Sequence, residues 1–153
     1  MKYSGKKNSE SLFLELEIAG TPELLKVVRA SISEFGMLLG LASHEIYDIN
    51  LSVNEVCANI MEHDYKWDAS QRIRISLTGQ PKGIEVKIRD FAPPKDPTLF
   101  RSRDLEEMKG SGLGLFLVGE LMDEVHYNSE VEEGNEIIMR KSCNIKVEND
   151  YGV

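Results

Sequence analysis

Cysteine is scarce in this chain, with only Cys57 and Cys143 among 153 residues. Neither has a second cysteine or a histidine at metal-ligand spacing, so neither a disulfide framework nor a zinc site organises the chain. Long apolar runs are missing as well. The greasiest stretches, around Phe35–Ala42 and Gly112–Gly119, fall far short of the roughly 20 residues that cross a bilayer. The first ten residues carry lysines with no apolar segment behind them, unlike a secretory signal. The expected location is therefore the reducing cytoplasm, away from membranes. Positive charge is also short: 18 Lys+Arg against 26 Asp+Glu leave a net charge of −8. Such a surface repels phosphate backbones and argues against direct nucleic-acid binding as the main role.

What remains is an ordinary globular composition, 41% hydrophobic and 29% charged, of a length that suits one domain with a real core. Residues 1–10 are polar and are expected to be flexible, as is the tail 143–153, leaving a single domain at 11–142. Leu12, Leu14, Leu16 and Ile18 alternate with Phe13, Glu15 and Glu17, a half-buried strand. Thr21-Pro22 opens a helix whose apolar positions run through Leu39, and Gly40 stops it. Ser43 is the expected cap of a second helix reaching about Tyr65. Strands through Ile73–Leu77 and Ile84–Ile88 form a hairpin around Gly79–Gly83. Residues 91–111 form a long loop with three prolines, the length at which loops tend to be functional. A short helix at Leu113–Met122 and two strands around a turn near Glu132–Asn135 close the chain. The order predicts a two-layer α/β sandwich: a mixed, mostly antiparallel sheet with helices on one face.

Three local patterns carry chemistry. On the second helix Ile46, Ile49, Val53, Val56, Cys57 and Ile60 share the core side, while Asp48, Ser52, Glu55, Asn59, Glu62 and His63 lie opposite. A solvated face is the ordinary reading of such a stripe. Yet Glu55 and Asn59, one turn apart, place a carboxylate and an amide oxygen where they could serve a hydrated Mg²⁺. The second pattern is Lys109-Gly110-Ser111-Gly112-Leu113-Gly114, which opens a helix after the long loop. It is either a flexible hinge or a cradle of backbone N–H groups for an anion. The third is Asp90, at the end of a strand before Phe91-Ala92-Pro93-Pro94. It is either a turn former or an acceptor for an exocyclic amine.

Taken in order, Glu55-Val56-Cys57-Ala58-Asn59 with His63, Asp90, and Gly110-Ser111-Gly112-Leu113-Gly114 resemble the Bergerat (GHKL) ATP-binding fold shared by gyrase-type ATPases and histidine kinases. Ser52–Asn59 and the run from Gly112 to Val125 look more narrowly like the anti-sigma-factor serine kinases. The resemblance spans roughly Leu12–Lys141. It implies that Glu55 is the general base, Asn59 the ligand of the Mg²⁺ that accompanies ATP, and Asp90 the acceptor for the adenine amine. It implies ATP or ADP contacts from Ala92, Gly110, Ser111, Gly112, Leu113, Gly114 and Asn135, with an ATP lid at about 91–111 whose Lys95, Arg101, Arg103 and Lys109 are candidate phosphate cations. Three positions depart from the pattern. Ala92 replaces a glycine, Asp64 a small residue and Asn135 a frequent threonine.

The activity implied is ATP-dependent phosphorylation of a serine or threonine on an anti-sigma-factor antagonist, coupled to binding and inhibition of a sigma factor. Homodimerisation through 12–18 or the first helix is a further implication. The three departures keep an alternative open, a non-catalytic ATP/ADP-binding switch that sequesters a partner without phosphotransfer.

Overall fold

Strand alternation fixes which way each ribbon faces. The computed structural model describes residues 12–95, 113–128 and 130–143. In β1 (Phe13–Ala19) the leucines and Ile18 turn inward while Phe13, Glu15 and Glu17 are exposed. The same period of two buries Ile73, Ile75 and Leu77 of β2 (Arg72–Gln80) and Ile84, Val86 and Ile88 of β3 (Gly83–Asp90), each at most 1% exposed. Strands β4 (Glu124–Asn128) and β5 (Asn135–Ser142) complete a five-stranded sheet of order β1-β2-β3-β5-β4. All four described pairings are antiparallel. The register sets Asp90 opposite Asn135 at the end of the β3–β5 ladder.

Helices α1 (Leu25–Leu39), α2 (Ser43–Asn59) and α3 (Leu113–Leu121) supply the second layer of the expected sandwich. Val28, Ile32, Ile49, Val53 and Val118 are among the residues that close the core from the helix side. Gly40 ends α1 with φ of 79°, a left-handed conformation that suits glycine. The outer face of the sheet is polar and cross-linked by surface pairs such as Arg74–Glu17 at 3.1 Å and Arg140–Glu85 at 2.8 Å.

Helix α2 departs from expectation at both ends and in the middle. Its cap is Ala42, not Ser43. Ser43 is already helical, and the Glu45 carboxylate reaches back to accept the Ala42 N–H at 2.8 Å. The α-helix stops at Asn59 and widens into a π-turn over Ile60–Asp64, closed by the Tyr65 N–H on the Ile60 carbonyl at 2.9 Å. Lys66 and Trp67 then take φ values of 46° and 64°, and the Trp67 N–H bonds the Met61 carbonyl at 2.8 Å, reversing the chain toward β2. Ser52, assigned to the polar stripe, is instead fully buried. The reason is that α2 packs on α3 as well as on the sheet, so more than one of its sides is covered. Asp48 is not simply solvated either. Its carboxylate holds Lys141 of β5 at 3.0 Å, and the same ammonium donates to the Leu121 carbonyl at 2.5 Å, tying the end of α3 to α2.

Candidate functional site

The first turn of α3 lies directly against α2. A Cβ built on Gly114 would stand 2.7 Å from Oε2 of Glu55 and 3.2 Å from Nδ2 of Asn59. Only a residue without a side chain lets the α3 backbone come this close. The fold thus joins two motifs that lie more than fifty residues apart. The i, i+4 spacing of α2 places Glu55 and Asn59 together, and Gly114 brings the start of α3, whose N–H groups have no intrahelical acceptors, against them. Glu55 and Asn59 are both half-buried, between core and solvent.

Asp90 sits at the other side of the site. It is 3% exposed, and its Oδ1 accepts from Asn135 Nδ2 at 2.9 Å and from the Ala92 N–H at 3.0 Å. Burial raises the pKa of Asp90 above the ordinary carboxylate value. The two hydrogen bonds and the Lys95 charge pull it back, while Asp64 adds to the rise. The turn before β5 makes the arrangement possible. Gly134 has φ of +77°, and a Cβ there would fall 1.9 Å from the Asp90 carbonyl oxygen. Ala92, where the resemblance calls for glycine, meets no such demand: among described non-glycine residues only Lys66 and Trp67 have positive φ.

Residues 91–95 form a strap held at several points. The Phe91 N–H donates to the Tyr65 hydroxyl at 2.9 Å, and that hydroxyl donates to the Arg72 carbonyl at 2.5 Å. Asn135 Nδ2 also donates to the Pro93 carbonyl at 3.2 Å, and its Oδ1 accepts the Lys95 N–H at 2.8 Å. The Lys95 ammonium meets Asp64, from the π-turn, at 2.6 Å. Asn135 therefore holds both Asp90 and the strap. Behind the strap is a cavity of about 50 Å³ with apolar walls from Val56, Ile60, Ile88 and Ile137 and polar groups from Asn59, Asp90, Lys95, Tyr127 and Asn135. Burial pushes the Tyr127 phenol well above its usual range, so it remains a neutral hydroxyl. An apolar pocket with a few convergent polar groups is the common form of a small-ligand site, although ordinary ones exceed about 300 Å³. At about 50 Å³ this one is smaller than that.

Among the predicted site residues, Asn59, Asp90 and Asn135 share this cavity, and Glu55 and Gly114 adjoin Asn59. Leu113 begins α3. Gly110, Ser111 and Gly112, and the lid beyond Lys95 with Arg101, Arg103 and Lys109, lie outside the described residues. His63 is exposed, 3.6 Å from Glu62, and is not among the residues that line the cavity. Sequence reasoning missed Tyr65, Tyr127 and Gly134. Only Gly134 left a signal, as a glycine directly before a strand in a hairpin turn. Cys57 is buried, its thiol pushed up to about 12, which makes it an inert core residue.

Comparison with known proteins bears on the family and the fold. A family model described as a histidine kinase-like ATPase domain matches residues 18–141. The chain belongs to this family. Within the histidine kinase-like ATPase domains, similar relatives include a protein named serine-protein kinase RsbW from Halalkalibacterium halodurans. It is 28% identical over 134 residues, which is 82% of this chain and 79% of the relative. The RsbW of Bacillus subtilis is 26% identical over 140 residues, covering 86% of each chain. Among solved structures, the RsbU and RsbW domains of a Mycobacterium tuberculosis protein superpose on 87% of this chain with TM-score 0.61 at 18% identity; the match spans 33% of that longer chain. The SiaB–SiaC complex from Pseudomonas aeruginosa gives TM-score 0.61 at 13% identity, over 84% of this chain and 87% of the other. These structural likenesses bear on the fold. Among the described residues, no helix is long and apolar enough to cross a membrane.

Proposed function

We propose that this chain is an ATP-dependent protein kinase that phosphorylates a serine or threonine of a partner protein in a partner-switching system. That partner would be an anti-sigma-factor antagonist, and the kinase would also bind and inhibit a sigma factor. The observation that carries the reading is the meeting of Gly114 with Glu55 and Asn59 beside a cavity that holds Asp90. The relatives named serine-protein kinase RsbW, aligned over most of both chains, support the same activity. Among the described residues one side of β1 is an unpaired sheet edge, with Phe13 and, on α1, Leu38 exposed nearby, which suits a homodimer through these elements.

In this reading Asp90 accepts a hydrogen bond from the base amine, and the α3 backbone, brought close by Gly114, faces the phosphates. Gly110 and Gly112, outside the described residues, are assigned to the phosphates by the resemblance alone. Asn59 offers one amide oxygen to a Mg²⁺. Among the described residues no group of three or more acidic, histidine or cysteine side chains could hold a metal. The donor set thus suits an ion bound mainly by phosphate and water, which neutralises phosphate charge. Glu55 takes the proton from the incoming hydroxyl. The hydroxyl oxygen bonds the γ-phosphorus, the bond to the β–γ bridging oxygen breaks, and ADP leaves. A cavity of about 50 Å³ must widen for a base to enter, and residues 91–95 beside it help to exclude water once it is filled.

The departures at Ala92, Asp64 and Asn135 favour a second reading, a nucleotide-dependent switch without transfer. Incubation with Mg-ATP and a candidate antagonist separates the two. Phosphoserine or phosphothreonine on the antagonist, reduced about 100-fold or more in Glu55→Ala while ADP still binds, supports the kinase. Binding of ATP without label on any antagonist supports the switch, and label that persists in Glu55→Ala removes Glu55 as the base.

A further inference from the structure

Helix α3 has nine residues, fewer than the roughly 12–15 below which an isolated helix is marginal in water, so its place depends on what holds it from outside. Two points tie it to α2. At one, Gly114 lies against Glu55. At the other, the Lys141 ammonium of β5 donates to the Leu121 carbonyl at 2.5 Å and to the Asp48 carboxylate at 3.0 Å. Gly114 and Leu121 are seven residues apart on α3, and Asp48 and Glu55 are seven apart on α2. At 1.5 Å per residue each span measures about 10.5 Å. The two helices therefore run antiparallel with matched contacts, one beside Glu55 and the other about two turns away.

The second contact is directional in a way that the packing is not. Val118 and Met122 are buried and hold α3 down, but apolar burial has no preferred direction along the helix axis. The last carbonyls of a helix lack intrahelical partners and carry partial negative charge, and an ammonium answers both. The Lys141 side chain is 14% exposed and that of Asp48 22%, so water competes little for the pair. Next to this clamp, the Asp123 N–H donates to the Arg140 carbonyl at 3.0 Å and the Ser142 N–H to the Asp123 carboxylate at 2.5 Å. Those bonds tie the chain after α3 to β5, and among these contacts Lys141 alone also reaches α2. Neither Lys141 nor Asp48 lines the cavity. We propose, resting on the nucleotide reading above, that Lys141, held by Asp48, is a positioning residue that sets how far α3 lies along α2. It thereby sets how the N–H groups at the start of α3, beside Glu55, meet the γ-phosphate.

Calorimetric titration of the full chain with Mg-ADP and with the magnesium complex of adenylyl imidodiphosphate, a non-hydrolysable ATP analogue, tests this. In Lys141→Met the analogue should bind about tenfold more weakly, roughly the worth of one charge-assisted hydrogen bond, while ADP changes by less than about threefold. Lys141→Arg keeps a cation with donors for both partners and should recover most of the loss. Asp48→Asn should act in the same direction as Lys141→Met, and the double variant should be weaker than Lys141→Met by less than about twofold, because the two changes break one clamp. ADP binding by each variant shows that it is folded. The inference is overturned, with the nucleotide reading intact, if Lys141→Met leaves the analogue's affinity unchanged or weakens ADP and the analogue alike, as general loosening of the domain would. It is also overturned if Lys141→Arg binds the analogue as weakly as Lys141→Met. If wild type binds neither nucleotide, both readings fall together.

Discussion

The α-carbon of Gly114 faces Glu55 so closely that an added Cβ would stand 2.7 Å from the carboxylate Oε2, with Asn59 Nδ2 at 3.2 Å. Both are the far ends of flexible side chains, so an alanine at 114 displaces the site and leaves the fold intact. The change also replaces a glycine of the first turn of α3, which favours the helix by less than the roughly 1 kcal/mol of an interior position. Gly114→Ala should therefore melt within a few degrees of wild type while phosphorylation of the partner drops tenfold or more, since misplacement of about 1 Å can lower a rate by about 10². Thermal melts beside initial-rate assays check this. Wild-type activity in Gly114→Ala would mean that the approach of α3 to Glu55 has no part in transfer.

Asp90 links binding to pH. Its folded pKa lies above the ordinary value of 3.8, with burial the main cause. Between 3.8 and the raised folded value the folded state binds more protons than the unfolded one, so stability falls as pH rises through that window. Below 3.8 the carboxyl is neutral in both states and the penalty is absent. Asp90→Asn keeps an oxygen to accept from Asn135 and Ala92 but carries no charge. The stability of Asp90→Asn relative to wild type should thus improve from pH 4 to pH 7, while affinity for ADP falls about tenfold or more. Denaturant titrations at several pH values give the first quantity and calorimetry the second. A relative stability that worsens with pH would contradict the burial argument.

The parts of the site that could be read in the sequence are those whose signal is local. Glu55 and Asn59 share a helix face because they are four residues apart, and Asp90 was visible as a carboxylate ending a strand of alternating residues. The strap was not legible. Lys95 meets Asp64, and Phe91 meets the Tyr65 hydroxyl, through contacts set by the π-turn, and no period in the sequence announces a π-turn. Ser52 was misassigned for a related reason. A helical wheel allows one buried face, whereas α2 is covered by both the sheet and α3. The Ser43 cap failed because the Glu45 carboxylate satisfies the Ala42 N–H one residue earlier. Long-range packing decided each of these points.

Two glycines of the chain give opposite expectations for the same substitution. At Gly134 a Cβ would lie 1.9 Å from the Asp90 carbonyl oxygen and 2.9 Å from the Phe91 Cα, and φ is +77°. The obstacles are backbone atoms of β3 and of the strap, so no side-chain rotation relieves them. The strand ladder must open at Asp90 and Asn135, where the register pairs them. Gly134→Ala should cost at least about 2 kcal/mol from the left-handed strain and the steric clash together. Because Asp90 moves with the ladder, ADP binding should weaken in the protein that remains folded. Gly119, on an exposed position of α3, has nothing within 4 Å of its added Cβ. Gly119→Ala should then be neutral or stabilising by up to about 1 kcal/mol, with ADP affinity unchanged. Denaturant titration of the two variants beside wild type decides the matter. Equal stability of Gly134→Ala and Gly119→Ala would show that the β5 turn yields to the added methyl, and that the close approach of Gly134 to Asp90 does not hold the base end of the site.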